Sequence, residues 1–225
     1  MGDRTSKDAL YEGLVAPAKA LASGRRAEIV DLLAQGERSV EAIAEEIGQS
    51  VANTSQHLQH LLRVGLVRTR RDGTRIFYSL AGDEVAELWS ALQKVAARHH
   101  GAIDRLATAY LGDRSKLDVM TRDVLRQRLR RRDVVVLDVR PAPEYDAGHI
   151  AGAVCVPIAE LQRRLRELPA GTDIVAYCRG AYCVYADDAV RALRRRGFNA
   201  VRLQDGYPEW ARARLPVETS DDSTM

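Results

Sequence analysis

Two cysteines that bound a six-residue segment are the side chains of this sequence best suited to chemistry. Cys178 and Cys183 enclose Arg-Gly-Ala-Tyr, directly after the apolar run 174–177 and before a stretch of helical periodicity. A buried strand, a tight loop and a helix start in this order favour a thiolate. The loop N–H groups, the positive helix N-terminus and Arg179 all stabilise an anionic sulfur. The pattern therefore predicts a reactive Cys178.

Cys183 has two interpretations. As a resolving thiol it would convert a persulfide or a sulfenate on Cys178 into a disulfide. As a small buried residue it would only close the junction of loop and helix, since the two ends of such a loop need not bring their sulfurs within bonding distance. Cys155 lies in the apolar run 153–156 and is predicted to be an inert core thiol.

Length and composition indicate an ordinary globular protein of two domains, with 225 residues and a net charge of +3. Its three cysteines, all in the second half, do not form a disulfide framework and are typical of a reducing compartment. No apolar run approaches the roughly 20 residues of a membrane span, and the N-terminus shows no apolar signal region. We therefore expect a cytoplasmic protein without membrane contact, and no cofactor.

The pattern of apolar residues changes near the middle of the chain. Helical periodicity dominates up to residue 111, and a polar stretch at 112–117 predicts a linker. From 118 to 217, β-branched runs at 134–139, 153–156, 174–177 and 200–203 alternate with helices, which indicates a parallel α/β sheet. The acidic, small-residue tail at 218–225 is predicted to be disordered.

The first domain is predicted to be mainly helical, and its third helix, near residues 51–64, has two distinct faces. Ser39 is expected to cap the N-terminus of the second helix, which begins at Val40. On the third helix, Val51, Thr54, Leu58 and Leu61 are expected to face the core. The other face is suited to base edges and phosphates in a major groove, although it fits a solvated helix face as well. Its residues are Asn53, Ser55, Gln56, His57 and His60.

A basic hairpin follows and favours the DNA interpretation. Asp72-Gly73 lies between two strand-like runs, which is a strong hairpin signal. Next to a helix–turn–helix, such a hairpin is a wing that contacts backbone phosphates or a minor groove. The arginines expected to do so are Arg68, Arg70, Arg71 and Arg75.

With this helix and hairpin, residues 10–110 resemble the ArsR-type winged-helix repressors. The likeness lies in Ser-Gln-His-Leu at 55–58, Leu-Leu-Arg-Val-Gly-Leu-Val at 61–67, Arg-Asp-Gly-Thr-Arg at 71–75, and Tyr78. The resemblance implies a homodimer that binds operator DNA and releases it when an inducer binds. An apolar stripe, predicted to lie on one long helix and near the N-terminus, exceeds what so small a domain buries alone. It comprises Val85, Leu88, Trp89, Leu92, Val95, Ala96, Ile103, Leu106 and Tyr110, with Leu10, Leu14 and Leu21.

The chain departs from the metal-sensing members of that family. The helix at 40–47 has no cysteine, although their metal cysteines lie on the corresponding helix. His99 and His100 are adjacent and so point about 100° apart on a helix, which makes a poor chelate. We therefore predict no metal site.

The second domain resembles the rhodanese sulfurtransferases over residues 118 to about 217. The likeness lies in Asp-Val-Arg at 138–140, Glu-Tyr at 144–145, Gly-His-Ile at 148–150, Gly-Ala at 152–153, Pro157, the loop 178–183, Asp-Gly-Tyr at 205–207, and Trp210. The resemblance implies that Cys178 is a nucleophile that accepts sulfane sulfur as a persulfide and passes it to a thiol or cyanide. Arg179 would assist it, and the loop would hold the anion through Gly180, Ala181, Tyr182 and Cys183.

Four charged residues near the strand ends have two interpretations. Asp138 and Arg140 follow a buried strand, at the rim where parallel sheets build their sites. We favour a structural role, in which they pair with Glu144, Tyr145 or His149. Asp138, Arg140, Glu144 and His149 are therefore predicted to support the site rather than to react.

The loop also differs from two related kinds of site. Related phosphatases place an arginine six positions after the cysteine, whereas position 184 is Val, which argues against phosphate capture. Some thiosulfate-using enzymes have a basic residue two positions after the cysteine, where this chain has Gly180, so the sulfur donor stays open.

The leading hypothesis is a dimeric winged-helix regulator whose second domain senses or transfers reactive sulfur. The alternatives are a sulfurtransferase that uses the helical domain as a dimeriser, and a non-catalytic module that binds a small anion.

Overall fold

The computed structural model describes residues 3–169 and 171–220. They form two compact units that divide between His99 and His100. The bounds 1–111 and 118–217, with a linker at 112–117, stay a prediction of the sequence.

The first unit is a set of helices with a small antiparallel sheet, as the sequence predicts. Its elements are α1 (Arg4–Leu21), α2 (Gly24–Leu33), β1 (Arg38–Ser39), α3 (Val40–Glu46), α4 (Val51–Arg63), β2 (Val67–Asp72), β3 (Arg75–Leu80) and α5 (Asp83–His99). The strands follow the order β1-β3-β2. Ser39 caps α3 by accepting a hydrogen bond from the Ala42 N–H, and Ser50 caps α4 in the same way from Asn53.

Three details of this unit differ from the sequence prediction. The long helix is broken, because α5 ends at His99 and the chain turns at Gly101, where the Ala102 N–H donates to the His100 ring. The hairpin turn lies one residue later than expected, since Asp72 pairs with Arg75 and the φ of Gly73 is 58°. Val51, expected in the core, is 45% exposed.

The second unit alternates strands and helices. Its elements are α6 (Ile103–Leu111), β4 (Val119–Met120), α7 (Arg122–Arg131), β5 (Val134–Asp138), α8 (Ala142–Ala147), β6 (His149–Ile150), β7 (Val154–Cys155), α9 (Leu161–Arg164), a 3₁₀ turn (Leu165–Glu167), β8 (Asp173–Tyr177), α10 (Tyr185–Arg195), β9 (Ala200–Leu203), α11 (Tyr207–Arg212) and β10 (Val217–Glu218).

A five-stranded parallel sheet forms the centre of this unit, in the order β4-β9-β8-β5-β7. One face packs against α9 and α10, and the other contacts α7 and α11. Residues 174–177 of β8 are fully buried, as a strand covered on both faces must be. The predicted parallel sheet with flanking helices is confirmed, and β8 delivers Cys178 to the carboxyl edge of the sheet.

The end of the described chain adds a strand. The sequence predicts disorder from residue 218, whereas Glu218 lies in β10 and pairs with His149 of β6. Its carboxylate accepts a hydrogen bond from the Gly152 N–H at 3.0 Å. Backbone pairing orders this acidic position, and residues 221–225 lie outside the described part of the chain.

Candidate functional site

The loop 178–183 lies between β8 and α10, where the sequence places it. Cys178 follows the last residue of β8 and is 2% exposed, whereas Cys183 is partly buried. The Cys178 thiol donates to two loop carbonyl oxygens, that of Cys183 at 3.8 Å and that of Gly180 at 4.0 Å. The nucleophile of the resemblance is therefore a thiol held inside the loop.

The two sulfurs titrate in opposite directions. Burial raises the pKa of Cys178 well above its ordinary value, and a hydrogen bond between its thiol and the Cys183 sulfur adds to this rise. The same hydrogen bond lowers the pKa of Cys183, with further help from the N–H groups of Arg179 and Tyr185. The expected thiolate on Cys178 is thus corrected for this state, because the desolvation of its sulfur outweighs the attraction of the loop. Of the two thiols, Cys183 is the easier to deprotonate.

Arg179 points its charge at a carboxylate. Its guanidinium donates to both oxygens of Glu144, with the shortest contact at 2.6 Å, and lies over the ring of Tyr185 at 5.2 Å. Glu144 is 1% exposed, so it needs a charged partner. The catalytic role of Arg179 stays a prediction, as does the anion-binding role of Gly180, Ala181 and Tyr182.

The loop rests on the turn before α11. The Tyr207 N–H donates to the carbonyl oxygen of Cys178 at 3.1 Å. A Cβ on Gly206 would lie 2.3 Å from the Gly180 nitrogen and 2.6 Å from the Cys178 oxygen. Only glycine permits this approach of two backbone segments, which explains a motif to which the sequence assigned no role.

A second support of the loop was missed by the sequence analysis. Arg114, in the predicted linker, donates to the carbonyl oxygens of Ala181 at 2.7 Å and Cys183 at 3.3 Å. It also pairs with Asp187, a fully buried carboxylate on α10 that lies 3.6 Å from Arg202 as well. No sequence signal marks Arg114, because its partners lie 67 to 73 positions away.

Asp138 and Arg140 pair with each other in the interior rather than with Glu144, Tyr145 or His149. Their side chains are both 0% exposed and meet at 2.6 Å. The Tyr177 hydroxyl donates to Asp138 at 2.5 Å and accepts from the Ile150 N–H at 3.1 Å. Arg140 also donates to the Gly148 carbonyl at 2.7 Å. This network joins β5, β8 and β6, and the supporting role of Asp138, Arg140, Glu144 and His149 stays a prediction.

His149 and Cys155 complete the set of side chains near this edge. The His149 ring stacks on Tyr145 with 3.6 Å between ring centroids, and it lies 3.6 Å from the Glu218 carboxylate. Burial raises the pKa of Cys155 to about 11, so this thiol is neutral at neutral pH, in line with an inert role.

The predicted DNA-contacting helix face lies at the surface of the first unit. On α4, Asn53 and Gln56 are exposed, and Ser55, His57 and His60 are partly exposed. All four arginines of the hairpin are exposed. Strand pairing places Arg68, Arg70 and Arg75 on one face, opposite Ser79, Phe77 and Asp72, and Arg71 on the other face.

Arg70 differs from the other hairpin arginines because it contacts both an acid and an aromatic ring. Glu37 accepts from it at 2.6 Å, and its guanidinium lies over the Phe77 ring at 4.9 Å. Sequence reasoning missed Glu37, which lies before β1 and reaches the hairpin only because β1 pairs with β3. An acid at this position competes with phosphate for Arg70.

Among residues 3–169 and 171–220, no three His, Cys, Asp or Glu side chains gather in a way that would hold a metal ion. Within the same residues, no helix is long and apolar enough to cross a membrane.

Family models match both units. The model described as bacterial regulatory protein, arsR family, matches residues 23–69, and the rhodanese-like domain model matches residues 121–213.

Relatives are found for the whole chain and for each unit. An HTH-type transcriptional regulator of Mycobacterium tuberculosis, Rv0324, is 50% identical over 217 residues, which is 96% of this chain and 95% of the relative. A sulfurtransferase of Allochromatium vinosum is 35% identical over 38% of this chain and 78% of its own length. A solved homodimeric winged helix–turn–helix domain from Mycobacterium bovis is 48% identical and covers 44% of this chain and 92% of its own, with a TM-score of 0.41.

Proposed function

Since the chain belongs to the HTH-type transcriptional regulators in which an arsR-type winged helix precedes a rhodanese-like domain, we propose that it is a repressor controlled by reactive sulfur at Cys178. One observation carries this proposal. Every cysteine lies in the second unit, and two of them share one loop in which the Cys178 thiol donates to the Cys183 carbonyl oxygen. The first unit offers DNA an exposed polar helix face and a basic hairpin but has no cysteine.

The first chemical step loads the loop with sulfur. Cys183, as the thiolate, takes the proton of Cys178 while the Cys178 sulfur attacks the outer sulfur of a donor persulfide. The donor S–S bond breaks, Cys183 passes the proton to the departing donor sulfur, which leaves as a thiol, and Cys178 carries the persulfide. Burial of Cys178 disfavours its free anion, so a neighbouring base is required for this attack.

The second step releases the sulfur in one of two ways. An external thiol or cyanide attacks the outer sulfur and restores Cys178. Alternatively, the Cys183 thiolate attacks the inner sulfur, the persulfide bond breaks, hydrosulfide leaves, and a disulfide joins Cys178 to Cys183. The second path gives Cys183 the resolving role, and the lowered pKa of its thiol supports it.

We propose that α4 enters a major groove of operator DNA with Asn53, Ser55, Gln56, His57 and His60, and that the hairpin arginines contact phosphates. The protein would act in the cytoplasm as a homodimer. Support for the dimer comes from apolar side chains on α1 and α5 of the first unit, where Leu10 and Leu14 are at least 60% exposed and Val95 is 57% exposed. Such apolar surface is typical of an interface.

A sulfurtransferase that uses its first unit as a dimeriser is the second candidate. It is favoured by the likeness of the second unit to the Allochromatium protein named a sulfurtransferase. A non-catalytic anion-binding module is the third. Turnover with glutathione persulfide and with thiosulfate, compared with Cys178→Ala, separates the two: an enzyme loses its turnover in the variant, and a binding module shows none.

The experiment that tests the regulator is a titration of operator DNA. The duplex is first selected from random sequence by the unreacted protein, and its Kd is then measured with and without glutathione persulfide at several salt concentrations. We expect a steep salt dependence, and a Kd that changes on treatment of wild type but not of Cys178→Ser. If Cys178→Ser responds as wild type does, Cys178 is not the sensor.

A further inference from the structure

The stretch between α6 and β4 is held along the rest of the second unit. We call residues 112–118 the connector. On α10, Arg191 donates to the Asp113 carbonyl at 3.2 Å, and Arg194 donates to the Lys116 carbonyl and the Asp118 carboxylate, each at 2.7 Å. The residues of the predicted linker are therefore fastened along α10, the helix that follows the cysteine loop.

Arg114 is the connector residue that reaches the loop itself. Its side chain is 22% exposed and holds three acceptors, namely the carbonyl oxygens of Ala181 and Cys183 and the carboxylate of Asp187. The Cys183 carbonyl oxygen is shared, because it also accepts from the Cys178 thiol. One backbone atom thus joins the reactive sulfur to the connector.

We infer that Arg114 transmits the chemical state of Cys178 to the connector and so to α6, which ends at Leu111. This inference rests on the proposed function and names the regulation of the same site. Arg114 lies outside both segments that the family models match, residues 23–69 and 121–213.

Conversion of the Cys178 thiol into a persulfide anion would remove a hydrogen-bond donor from the loop and add a negative charge. The present loop directs the carbonyl oxygens of Gly180 and Cys183 at a neutral thiol, at 4.0 and 3.8 Å. A persulfide anion on Cys178 has no S–H to donate, and its negative charge repels both oxygens. The Cys183 carbonyl must turn away, so Arg114 loses an acceptor.

Asp187 determines where Arg114 goes when the loop changes. This buried carboxylate is shared by Arg114 and Arg202, and a buried charge keeps its partners. The guanidinium of Arg114 therefore stays at Asp187 while its contact with the Cys183 carbonyl oxygen breaks. The backbone turn in which the Leu117 N–H donates to the Arg114 carbonyl oxygen, at 2.9 Å, is then held less firmly, and the connector loosens around Arg114.

The test compares Arg114→Ala with Arg194→Ala in the full-length protein. Arg194 also fastens the connector, to Lys116 and Asp118, but does not contact the cysteine loop. The Kd for the selected duplex is measured before and after glutathione persulfide, and mass spectrometry counts the sulfur added to Cys178. Wild type and Arg194→Ala should change Kd by a typical coupling factor of about 5- to 150-fold. Compared at equal sulfur content of Cys178, Arg114→Ala should change Kd less than about twofold on that scale, and Arg114→Lys should restore part of the response.

Hydrogen–deuterium exchange of the wild-type protein gives a second measurement that does not depend on a variant. Treatment with glutathione persulfide should accelerate exchange of the connector amides, Leu117 among them, while amides of α2 stay unchanged. Unchanged connector exchange in protein that carries the persulfide overturns the inference.

The outcomes separate the two proposals. A wild type whose Kd ignores the persulfide overturns the proposed function and this inference with it. A wild type that responds, together with an Arg114→Ala that responds equally, overturns the role of Arg114 alone.

Discussion

Substitution of Gly206 by alanine tests whether the turn before α11 sets the geometry of the cysteine loop. The new methyl group would lie 2.3 Å from the Gly180 nitrogen, 2.4 Å from the Arg179 carbonyl carbon and 2.6 Å from the Cys178 oxygen. These are backbone atoms, which cannot rotate away as the end of a side chain can.

The size of the effect follows from these distances. Each contact is about 1 Å inside ordinary van der Waals separation, so the loop and the turn must move apart by about that distance. Overpacking of this kind destabilises a protein by about 1–3 kcal/mol. A reacting group misplaced by about 1 Å loses about 10²-fold in rate. We therefore expect Gly206→Ala to lower the free energy of unfolding by about 1–3 kcal/mol. We also expect it to slow sulfur transfer to Cys178 by about two orders of magnitude.

Urea unfolding and a time course of persulfide formation, read by mass spectrometry, measure both effects. Gly101→Ala is the matched control, because it adds the same methyl group in the same unit with nothing within 4 Å. If Gly206→Ala unfolds like Gly101→Ala and takes up sulfur at the wild-type rate, the turn does not set the geometry of the loop.

The remaining predictions concern the two thiols, the buried network and the hairpin. As pH rises, iodoacetamide should label Cys183 before Cys178, because the pKa of Cys183 is lowered and that of Cys178 is raised; peptide mapping of both adducts measures this. Tyr177→Phe should lower the free energy of unfolding by about 1–3 kcal/mol, measured in urea, since it removes a donor to buried Asp138. Arg75→Ala should reduce the slope of log Kd against log salt by about one, measured by DNA titration, if this exposed arginine contacts one phosphate.

Each of these three predictions can be contradicted by a specific result. Labelling of Cys178 first would show that its sulfur is the anion. Tyr182→Phe is the control, because it removes a hydroxyl from an exposed side chain that lies outside the buried network. Equal destabilisation by the two substitutions would mean that the network does not stabilise the fold. Arg126→Ala, on α7, is the control for Arg75→Ala because it removes an equal surface charge. If both variants reduce the slope of log Kd against log salt equally, the slope reports net charge and not a phosphate contact of Arg75.

The elements could be predicted wherever the signal is local. Ser39 precedes its helix by one residue, and the runs 134–139 and 174–177 are continuous and β-branched, so caps and strands followed from neighbours in the chain. The broken helix had a local sign as well, in Gly101, but apolar spacing on both sides of it concealed the break.

The chemistry of the site depended on contacts that sequence spacing does not contain. Arg179 finds Glu144 across 35 positions, and Arg114 finds the loop across 67 or more. Desolvation of Cys178 is set by how closely α10 and β8 enclose it, and it raises the pKa that the sequence pattern predicted to be lowered. The position of a cysteine predicts its reactivity poorly until its burial is known.

The place of β8 in the middle of its sheet bears on how long a chemical mark on Cys178 would last. Strands on both sides hold β8 by hydrogen bonds, so its amides open only when the unit unfolds as a whole. A solvent thiol thus reaches a modified sulfur on Cys178, beyond Tyr177, only from the side of the loop 178–183. Under the proposed function, removal of the mark would then depend on Cys183 or on a thiol that enters the loop, and the mark would outlast the sulfur compound that made it.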